Sequence, residues 1–275
     1  MGDWQRQTQN AVEALASLQG QGEAPPGIDQ ALTQLERGNT QAAEAIFQEI
    51  KEKKAAESPA ANKQAAEAAR YLGGLALLHD TGKALEAYRQ ATTLDPDNWE
   101  GWNMLGQLLL RTGELSEAEA AFRKVESLAT SVKNQAWQAR AYGNLGLVYQ
   151  VRKDLDQAET MHRKALEIEK ALGRTEGMAN NYLNLGIVYG IRRELERAEA
   201  MLQKALEIHE ALSNKEGMAS VYANLGIAYQ TRGDLDQAET MYCKALTLFE
   251  AIGAQPQIEQ VRAWLAQVRV WLTAG

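Results

Sequence analysis

The chain contains 275 residues, of which 45% are hydrophobic and 24% charged, and its formal net charge is −7 at pH 7. This length and apolar content are enough to bury an extended core, while the acidic balance argues against a nucleic-acid groove, which needs clustered lysine and arginine. No run approaches the roughly 20 apolar residues of a membrane span, and the first residues lack the basic and apolar regions of a signal peptide. The single cysteine, Cys243, cannot form an internal disulfide, so the sequence favours a cytoplasmic protein without membrane contact.

The N-terminal half is predicted to form one helix followed by three irregular helical hairpins. The helix covers residues 1–22, and the apolar residues that share one of its faces are Trp4, Ala11, Leu15 and Leu18. Glycines and prolines at 19–27 interrupt this pattern. The three hairpins then occupy residues 24–132, and in the second of them Gly74 is the predicted mid-helix glycine of the first helix.

From residue 137 to 254 one unit is written three times, forty residues apart. Its first half runs from one tyrosine through asparagine-leucine-glycine to another tyrosine, at 142–149, 182–189 and 222–229. The first seven residues of its second half, 155–161, return unchanged at 235–241. A fixed period of this size indicates a stacked-repeat protein.

Each unit is predicted to fold as an antiparallel pair of helices. Apolar residues recur three and four apart in both halves, which places them on one face of a helix. Only the short polar stretch 151–154 separates the two halves of the first unit, so the second helix must fold back along the first. Asp154 with Gln157, and Asp234 with Gln237, have the spacing of a helix N-cap and its partner.

Glycines recur at two places in the unit. After the second helix they predict a left-handed helix terminus, at Gly173 and Gly253. In the middle of the first helix each glycine costs about 1 kcal/mol relative to alanine, so their repetition indicates a close approach of the second helix. These glycines are Gly146, Gly186 and Gly226, and the small residues expected opposite them are Ala158, Ala198 and Ala238.

Residues 255–275 are predicted to form a final helix that caps the stack. Trp264 and Trp271 lie seven residues apart at the edge of its apolar face. Two interpretations stay open for this pair. The tryptophans pack against the last repeat, or they contact another subunit or a following domain, since tryptophan is enriched at interface anchors.

The repeated unit resembles the tetratricopeptide repeat. That family places a tryptophan or tyrosine, then leucine-glycine, then a tyrosine, and an alanine twelve residues after the glycine. Gly146 and Ala158 have this separation, as do their equivalents in the next two units. HEAT and armadillo repeats fit the forty-residue period but not these positions. The units are longer than a 34-residue repeat, which makes them similar to those of kinesin light chains and of adaptors that bind short linear motifs. The resemblance implies an all-α, right-handed superhelical solenoid of antiparallel helix hairpins.

Residues that could carry catalysis are few and scattered. His162 aligns with Leu202 and Tyr242 and therefore fills a packing position, and Cys243 has no histidine in its own repeat. Metal ligation and general-base catalysis need convergent partners, and no phosphate-binding or dinucleotide motif appears. We therefore expect no enzyme, no metal and no cofactor. Charged pairs along the second helices, such as Glu159 with Arg163, are predicted to form a solvated face.

The first helices supply the candidate binding residues. The resemblance implies that the residue before leucine-glycine faces a concave groove, where an asparagine offers both a donor and an acceptor to an extended peptide. The alternative is a hydrogen bond to the neighbouring helix, and we favour the groove because asparagine is a poor helix former. The candidate groove residues are Asn144, Asn184, Asn224, Arg140, Leu147, Ile187, Ile227, Val151 and Ile191.

The resemblance also narrows the kind of partner. Carboxylate-clamp members of the family, which grip the acidic C-terminus of a chaperone, place lysine or arginine beside such asparagines. The matching positions here hold Arg140, Asn180 and Ser220, a departure that argues against chaperone-tail binding. Charge in the groove is thus predicted to be sparse, and the bound peptide or helix is predicted to offer apolar side chains.

These predictions converge on a non-catalytic scaffold that binds a peptide or helical segment of another protein. Two alternatives stay open. The chain is a regulatory or sensor repeat domain of a larger signalling protein, or it is a structural module that forms a homo-oligomer through its terminal helices.

Overall fold

The computed structural model describes residues 27–54, 59–77 and 79–274. Within these ranges it contains thirteen α-helices and no strand. The predicted all-α class is therefore confirmed. The helix predicted over residues 1–22 lies outside the described residues.

The first of two compact units, Met1–Trp137, holds three helical hairpins among its described residues. Its helices are α1 (Ile28–Glu36), α2 (Thr40–Lys54), α3 (Pro59–Ala76), α4 (Thr81–Leu94), α5 (Trp99–Thr112) and α6 (Leu115–Ser131). Aromatic rings fill its core. Phe47 of α2 stacks on Tyr71 of α3 with ring centroids 4.9 Å apart, and Phe122 of α6 lies directly against Gly106 of α5.

The second unit, Gln138–Gly275, carries the forty-residue repeats. Its helices are α7 (Gln135–Val151), which begins just before the unit boundary, α8 (Leu155–Ala171), α9 (Thr175–Ile191), α10 (Leu195–Ala211), α11 (Lys215–Arg232), α12 (Leu235–Ile252) and α13 (Gln255–Ala274). Helices α7 to α12 form three hairpins whose equivalent helices start forty residues apart. α13 follows them as a single helix.

The turn inside each hairpin follows the predicted capping pattern only in part. The side chain of Asp154 caps α8 by accepting a hydrogen bond from the backbone N–H of Gln157 at 3.2 Å. Asp234 stands at the same place before α12, but its side chain makes no capping hydrogen bond. The N-cap position of Asp234 is thus confirmed without its capping hydrogen bond, and the guanidinium of Arg232 lies 3.7 Å from the Asp234 carboxylate.

The turns between hairpins are left-handed, as predicted from their glycines. Gly173 has a φ of 66° and Gly253 a φ of 71°. The equivalent residue between them is Ser213, which adopts the same conformation with a φ of 53°. The left-handed turn is therefore kept where serine replaces glycine.

The mid-helix glycines approach the second helix closely, as predicted, but their nearest contacts are large side chains. Of the predicted alanines, Ala198 places its carbonyl oxygen 3.3 Å from the Cβ position of Gly186. A Cβ atom at each glycine would stand 2.5 to 2.7 Å from a large side chain; the pairs are Gly146 with His162, Gly186 with Leu202 and Gly226 with Tyr242. Helical side chains lean toward the N-terminus of their helix, so a residue one turn beyond the alanine covers the glycine. In the first unit Gly73, one residue before the predicted Gly74, lies against the ring of Tyr88.

A repeated carboxylate joins each hairpin of the second unit to the next helix. Glu159 of α8 accepts hydrogen bonds from Tyr189 Oη and Arg192 Nη1 of α9, both at 2.6 Å. Although burial opposes the shift, these bonds and one from Arg163 lower the pKa of the Glu159 carboxyl to about 2. Arg163 makes the predicted pair with Glu159 at 2.9 Å, and its own side chain is exposed. The Glu159 side chain is only 17% exposed, so the prediction of a solvated face was wrong for this carboxylate. The two later carboxylates of this series are Glu199, which pairs with Tyr229 and Arg232, and Glu239, which pairs with Arg269.

Candidate functional site

A polar groove of about 670 Å³ lies between α7 and α9. From α7 it is lined by Ala139, Arg140, Gly143, Asn144 and Leu147. From α9 it is lined by Thr175, Glu176, Gly177, Asn180, Asn181, Leu183 and Asn184. Glu169 of α8 and the turn residues Gly173 and Arg174 complete the lining. We call this feature the polar groove.

The repeat itself brings these side chains together. Residues 140, 144 and 147 are four and three apart, so they project from one face of α7. The same register recurs forty residues later on α9, which places Asn180 and Asn184 at the equivalent positions. Neighbouring first helices therefore supply matched rows of polar groups to one groove.

A buried carboxylate lies at the α8 end of the polar groove. The side chain of Glu169 is 6% exposed, and its Oε2 atom is 3.3 Å from Nε of Arg174 without making a hydrogen bond. Burial raises the pKa of this carboxyl, against the opposing charges of Arg174 and Arg140. The carboxyl group occupies space that glycine leaves, because a Cβ atom on Gly177 would overlap it. Packing against Gly177 therefore fixes the position of the Glu169 carboxyl group.

A buried histidine supports the same wall of the groove. Asn181 donates a hydrogen bond to the carbonyl oxygen of Gly177 at 2.8 Å, and its Oδ1 atom lies 3.4 Å from Nδ1 of His162. His162 is fully buried, and this burial lowers the pKa of its imidazole to about 4. The neutral ring therefore fills a packing position, as its alignment with leucine and tyrosine predicted.

Four of the nine candidate groove residues line the polar groove: Arg140, Asn144, Leu147 and Asn184. Asn224 lies outside this groove and donates a hydrogen bond to the carbonyl oxygen of Ser220 on its own helix at 2.8 Å. Ile187 is half-buried, and the other three are exposed on their helices: Ile227 at 37%, Ile191 at 54% and Val151 at 57%.

The polar groove is more charged than the first helices predicted. Besides Arg140, its lining holds Glu169, Arg174 and Glu176, so the expectation of sparse charge was wrong. The three additional charges come from the end of α8, the following turn and the first turn of α9. A signal for them was present in the sequence, since Gly177 and Gly217 recur forty residues apart where the repeat leaves room for a large polar side chain.

The two candidate tryptophans of the capping helix have different surroundings. Trp264 is half-buried and packs against Tyr242 of α12, with ring centroids 5.8 Å apart. Trp271 is 44% exposed. The packing interpretation thus fits Trp264, while the surface of Trp271 is open to solvent.

The part of the chain that the structure describes contains no cluster of three or more histidine, cysteine, aspartate or glutamate residues that could hold a metal ion. None of the helices described is long and apolar enough to cross a membrane. Cys243 is half-buried, and its sulfur lies 4.0 Å from Nη2 of Arg269.

Comparison with known families decides the assignment of the repeats. The model of the tetratricopeptide repeat matches residues 100–174 and 177–251, which together make up more than half of the chain. This chain belongs to the tetratricopeptide repeat family. The tetratricopeptide match ends before the single helix α13. No curated protein sequence matches the chain.

Solved structures share the tetratricopeptide fold at low identity. BtubC (BKLC) from P. vanneervenii is 19% identical, with a TM-score of 0.63 over 92% of this chain and 93% of BtubC. A Rap protein complexed with Competence and Sporulation Factor is 17% identical, with a TM-score of 0.65 over 94% of this chain and 71% of that protein. The STAND protein PH0952 from Pyrococcus horikoshii is 15% identical, with a TM-score of 0.64 over 97% of this chain and 44% of that protein.

Proposed function

We propose that this tetratricopeptide repeat protein is a non-catalytic scaffold that binds a segment of another protein in the polar groove. The observation that carries the proposal is the convergence of Arg140 and Asn144 from α7 with Asn184 from α9. A volume of about 670 Å³ lies within the range of roughly 300 to 1,000 Å³ typical of ligand sites. Tetratricopeptide repeats are protein-interaction modules, which supports a protein segment as the ligand.

The chemistry of the groove favours a polar stretch of extended peptide. Asn144, Asn180 and Asn184 each carry a donor and an acceptor, so they pair with a peptide backbone whatever its side chains are. The two arginines and two glutamates of the lining cancel in formal charge. A segment with both donors and acceptors therefore fits better than the apolar segment expected from the first helices alone.

The test is affinity capture from a lysate of the source cell with three baits. These are the wild type, the double variant Asn144→Ala/Asn184→Ala, and Asn224→Ala. Asn224 is the matched control, because it has the same place in the repeat but lies outside the polar groove. We expect one partner to be retained by the wild type and the control and lost from the double variant.

Two further measurements make this result decisive. Thermal melting by circular dichroism should show the double variant folded, since a large fall in melting temperature would make the two asparagines structural. A peptide from the captured partner should then bind the wild type in a fluorescence anisotropy titration and bind the double variant at least about tenfold more weakly. Equal capture by all three baits would refute the proposal.

A second candidate function is that of a sensor domain in a larger signalling protein. The observation that favours it is the shared fold with the Pyrococcus horikoshii protein, which is described as a STAND protein with a tetratricopeptide repeat sensor. Sequencing the complete reading frame around this chain decides the matter. An adjoining nucleotide-binding domain would support the sensor role, whereas a reading frame without one would favour the scaffold function.

A further inference from the structure

The buried carboxylate at the α8 end of the polar groove has an acceptor that no hydrogen bond from the described part of the chain satisfies. Glu169 lines the groove, its side chain is 6% exposed, and its Oε2 atom accepts no hydrogen bond within those residues. A buried acceptor without a donor costs free energy, so such groups are few in folded proteins and each needs an explanation.

Packing does not require a carboxylate at this position. The equivalents of Glu169 in the next two repeats are His209 and Phe249, and both are buried. Phe249 shows that an apolar side chain can fill this place in a repeat and leave no acceptor unpaired. The unpaired carboxylate belongs to the repeat that borders the polar groove, which favours a donor that reaches Oε2 from the groove.

Arginine side chains stand beside this acceptor. Arg174 places Nε 3.3 Å from Oε2 of Glu169, and its own side chain is 42% exposed. It belongs to the turn before α9 and makes no capping hydrogen bond, so it can move aside without disturbing a helix. Arg140 also lines the groove, and its charge acts on the same carboxyl group. An acceptor and guanidinium donors therefore lie side by side.

This arrangement limits the side chains that fit. A lysine or arginine of the ligand would pair with Glu169, but the charges of Arg140 and Arg174 would oppose it. An aspartate or glutamate would pair with the arginines and would leave Oε2 without a donor. An apolar side chain would leave all of these groups unpaired. A primary amide is uncharged and carries both N–H donors and a carbonyl acceptor on one planar group.

We propose that the Glu169 end of the polar groove is a specificity site for a carboxamide side chain, glutamine or asparagine, of the bound segment. The amide N–H donates to Oε2 of Glu169, a hydrogen bond strengthened by the charge of the acceptor. The amide oxygen accepts from the guanidinium of Arg174, which turns away from Oε2. This inference rests on the proposed function and deepens it, since it names the side chain that the groove selects.

Five pentapeptides, blocked at both ends, test the preference. Each has two alanines on either side of a central glutamine, asparagine, glutamate, lysine or leucine. Nuclear magnetic resonance of the isotopically labelled full chain follows the backbone amides of Gly177 and Asn181 during each titration. We expect the better of the two amide peptides to bind with a dissociation constant on the order of 1 mM. The glutamate, lysine and leucine peptides should bind at least about fivefold more weakly.

Every other pattern would contradict the carboxamide site. Equal binding of all five peptides would mean that the central side chain is not read. Tighter binding of the glutamate, lysine or leucine peptide would mean that another side chain is read. Binding of none of the peptides would overturn the site as well.

A matched pair of variants tests whether Glu169 sets the preference. Glu169→Gln keeps the shape of the side chain, supplies a donor, and gives the lining a net positive charge, so the glutamate peptide should now bind more tightly than the glutamine peptide. Glu176→Gln removes the same charge from an exposed carboxylate, where solvent and salt screen it. It should keep the wild-type order. An unchanged order in Glu169→Gln would overturn the role of Glu169.

Arg174→Gln is a second variant, and its substitution lies in a turn. Removing this guanidinium should let the lysine peptide bind at least about threefold more tightly, because one opposing charge is gone. No gain for lysine would count against the arrangement. Urea unfolding of Glu169→Gln accompanies these titrations, since a purely structural role of Glu169 would change stability without reversing the order of the peptides.

The asparagine variant of the capture experiment separates this inference from the proposed function. Asn144→Ala/Asn184→Ala should bind all five peptides more weakly and keep their order, because it removes contacts with the peptide backbone. Capture of a partner that depends on these asparagines, without a carboxamide preference, would overturn only the specificity site. Equal capture by all the baits would overturn the proposed function and the site with it.

Discussion

The imidazole ring of His162 lies against Gly146, 2.5 Å from the place that a Cβ atom on this glycine would occupy. The ring is fully buried, so it is not free to move aside into solvent. This contact explains why a residue that costs helix stability stands in the middle of α7. It also positions the ring beside Asn181, whose amide lines the polar groove.

We predict that Gly146→Ala destabilises the fold by about 1 to 3 kcal/mol, because the added methyl group displaces the buried ring. The gain of up to about 1 kcal/mol in helix propensity offsets only part of this. Gly143→Ala, on the same helix, is the control. Its new methyl group would meet its nearest atom, Asn181 Oδ1, at 3.8 Å.

Urea unfolding of both variants separates the two effects. Gly143→Ala should leave the free energy of unfolding unchanged or raise it by up to about 1 kcal/mol. If Gly146→Ala were stabilised to the same extent, the close contact with His162 would carry no energetic weight.

His162 should make the stability of the second unit depend on pH. Its pKa is about 4 in the folded chain and about 6.5 in an unfolded one. The unfolded state therefore takes up the proton first as the pH falls. The contribution of His162 to the free energy of unfolding is therefore complete above pH 6.5. Between pH 6.5 and pH 4 this contribution falls by roughly 3 kcal/mol.

The variant His162→Leu should remove this part of the pH dependence, and leucine already fills the equivalent position at Leu202. Burial also lowers the pKa of His209 and raises that of Glu169, so both groups contribute to the total curve. The difference between the wild type and His162→Leu isolates His162. Parallel stability curves for the two proteins, measured by urea unfolding from pH 7 to 4, would contradict the prediction.

The fold was predictable because the same two-helix pattern occurs three times in the sequence. The hairpin turns at 151–154 and the left-handed Gly173 and Gly253 follow from local residue preferences, which sequence patterns express directly. The partner of Gly146 was misassigned because spacing alone does not show the direction in which a helical side chain leans. The twelve-residue spacing from glycine to alanine indicated the family, but it did not show which side chain contacts Gly146.

Only the part of the polar groove that α7 and α9 line was predictable from the sequence. Arg140, Asn144 and Asn184 share the register of one helical face, so their proximity follows from the period. Glu169 and Arg174 lie at a helix end and in a turn. Their side chains reach the groove through tertiary packing, which the sequence indicates only indirectly through the space that Gly177 leaves. The charge of the groove was underestimated for this reason.

Glu159→Gln should destabilise the second unit by about 1.5 to 3 kcal/mol, because the carboxylate accepts charge-assisted hydrogen bonds from Arg163 and Arg192 and one from Tyr189. Glu167→Gln on the same helix is the control, since Glu167 is exposed and should change stability by less than about 0.5 kcal/mol. Thermal melting at neutral pH measures both. Equal melting temperatures would show that the Glu159 cluster contributes nothing to the link between hairpins.

Exchanging glycine and serine between the turns after α8 and α10 tests the cost of the left-handed backbone conformation. Ser213 has a φ of 53° without the freedom of glycine, whereas Gly173 has a φ of 66° at the equivalent place. A left-handed conformation costs a residue other than glycine about 1 kcal/mol. Ser213→Gly should therefore stabilise the protein by about 0.5 to 1 kcal/mol, and Gly173→Ser should destabilise it by a similar amount.

The exchange at Gly173 is free of steric complications, since no atom lies within 4 Å of the place that its Cβ would take. Any loss in Gly173→Ser thus measures backbone conformation alone. Urea unfolding of the two single variants and of the double variant completes the test, and the double variant should return close to the wild type because the sites are forty residues apart. Destabilisation of Ser213→Gly would mean that the serine side chain contributes more than its backbone conformation costs.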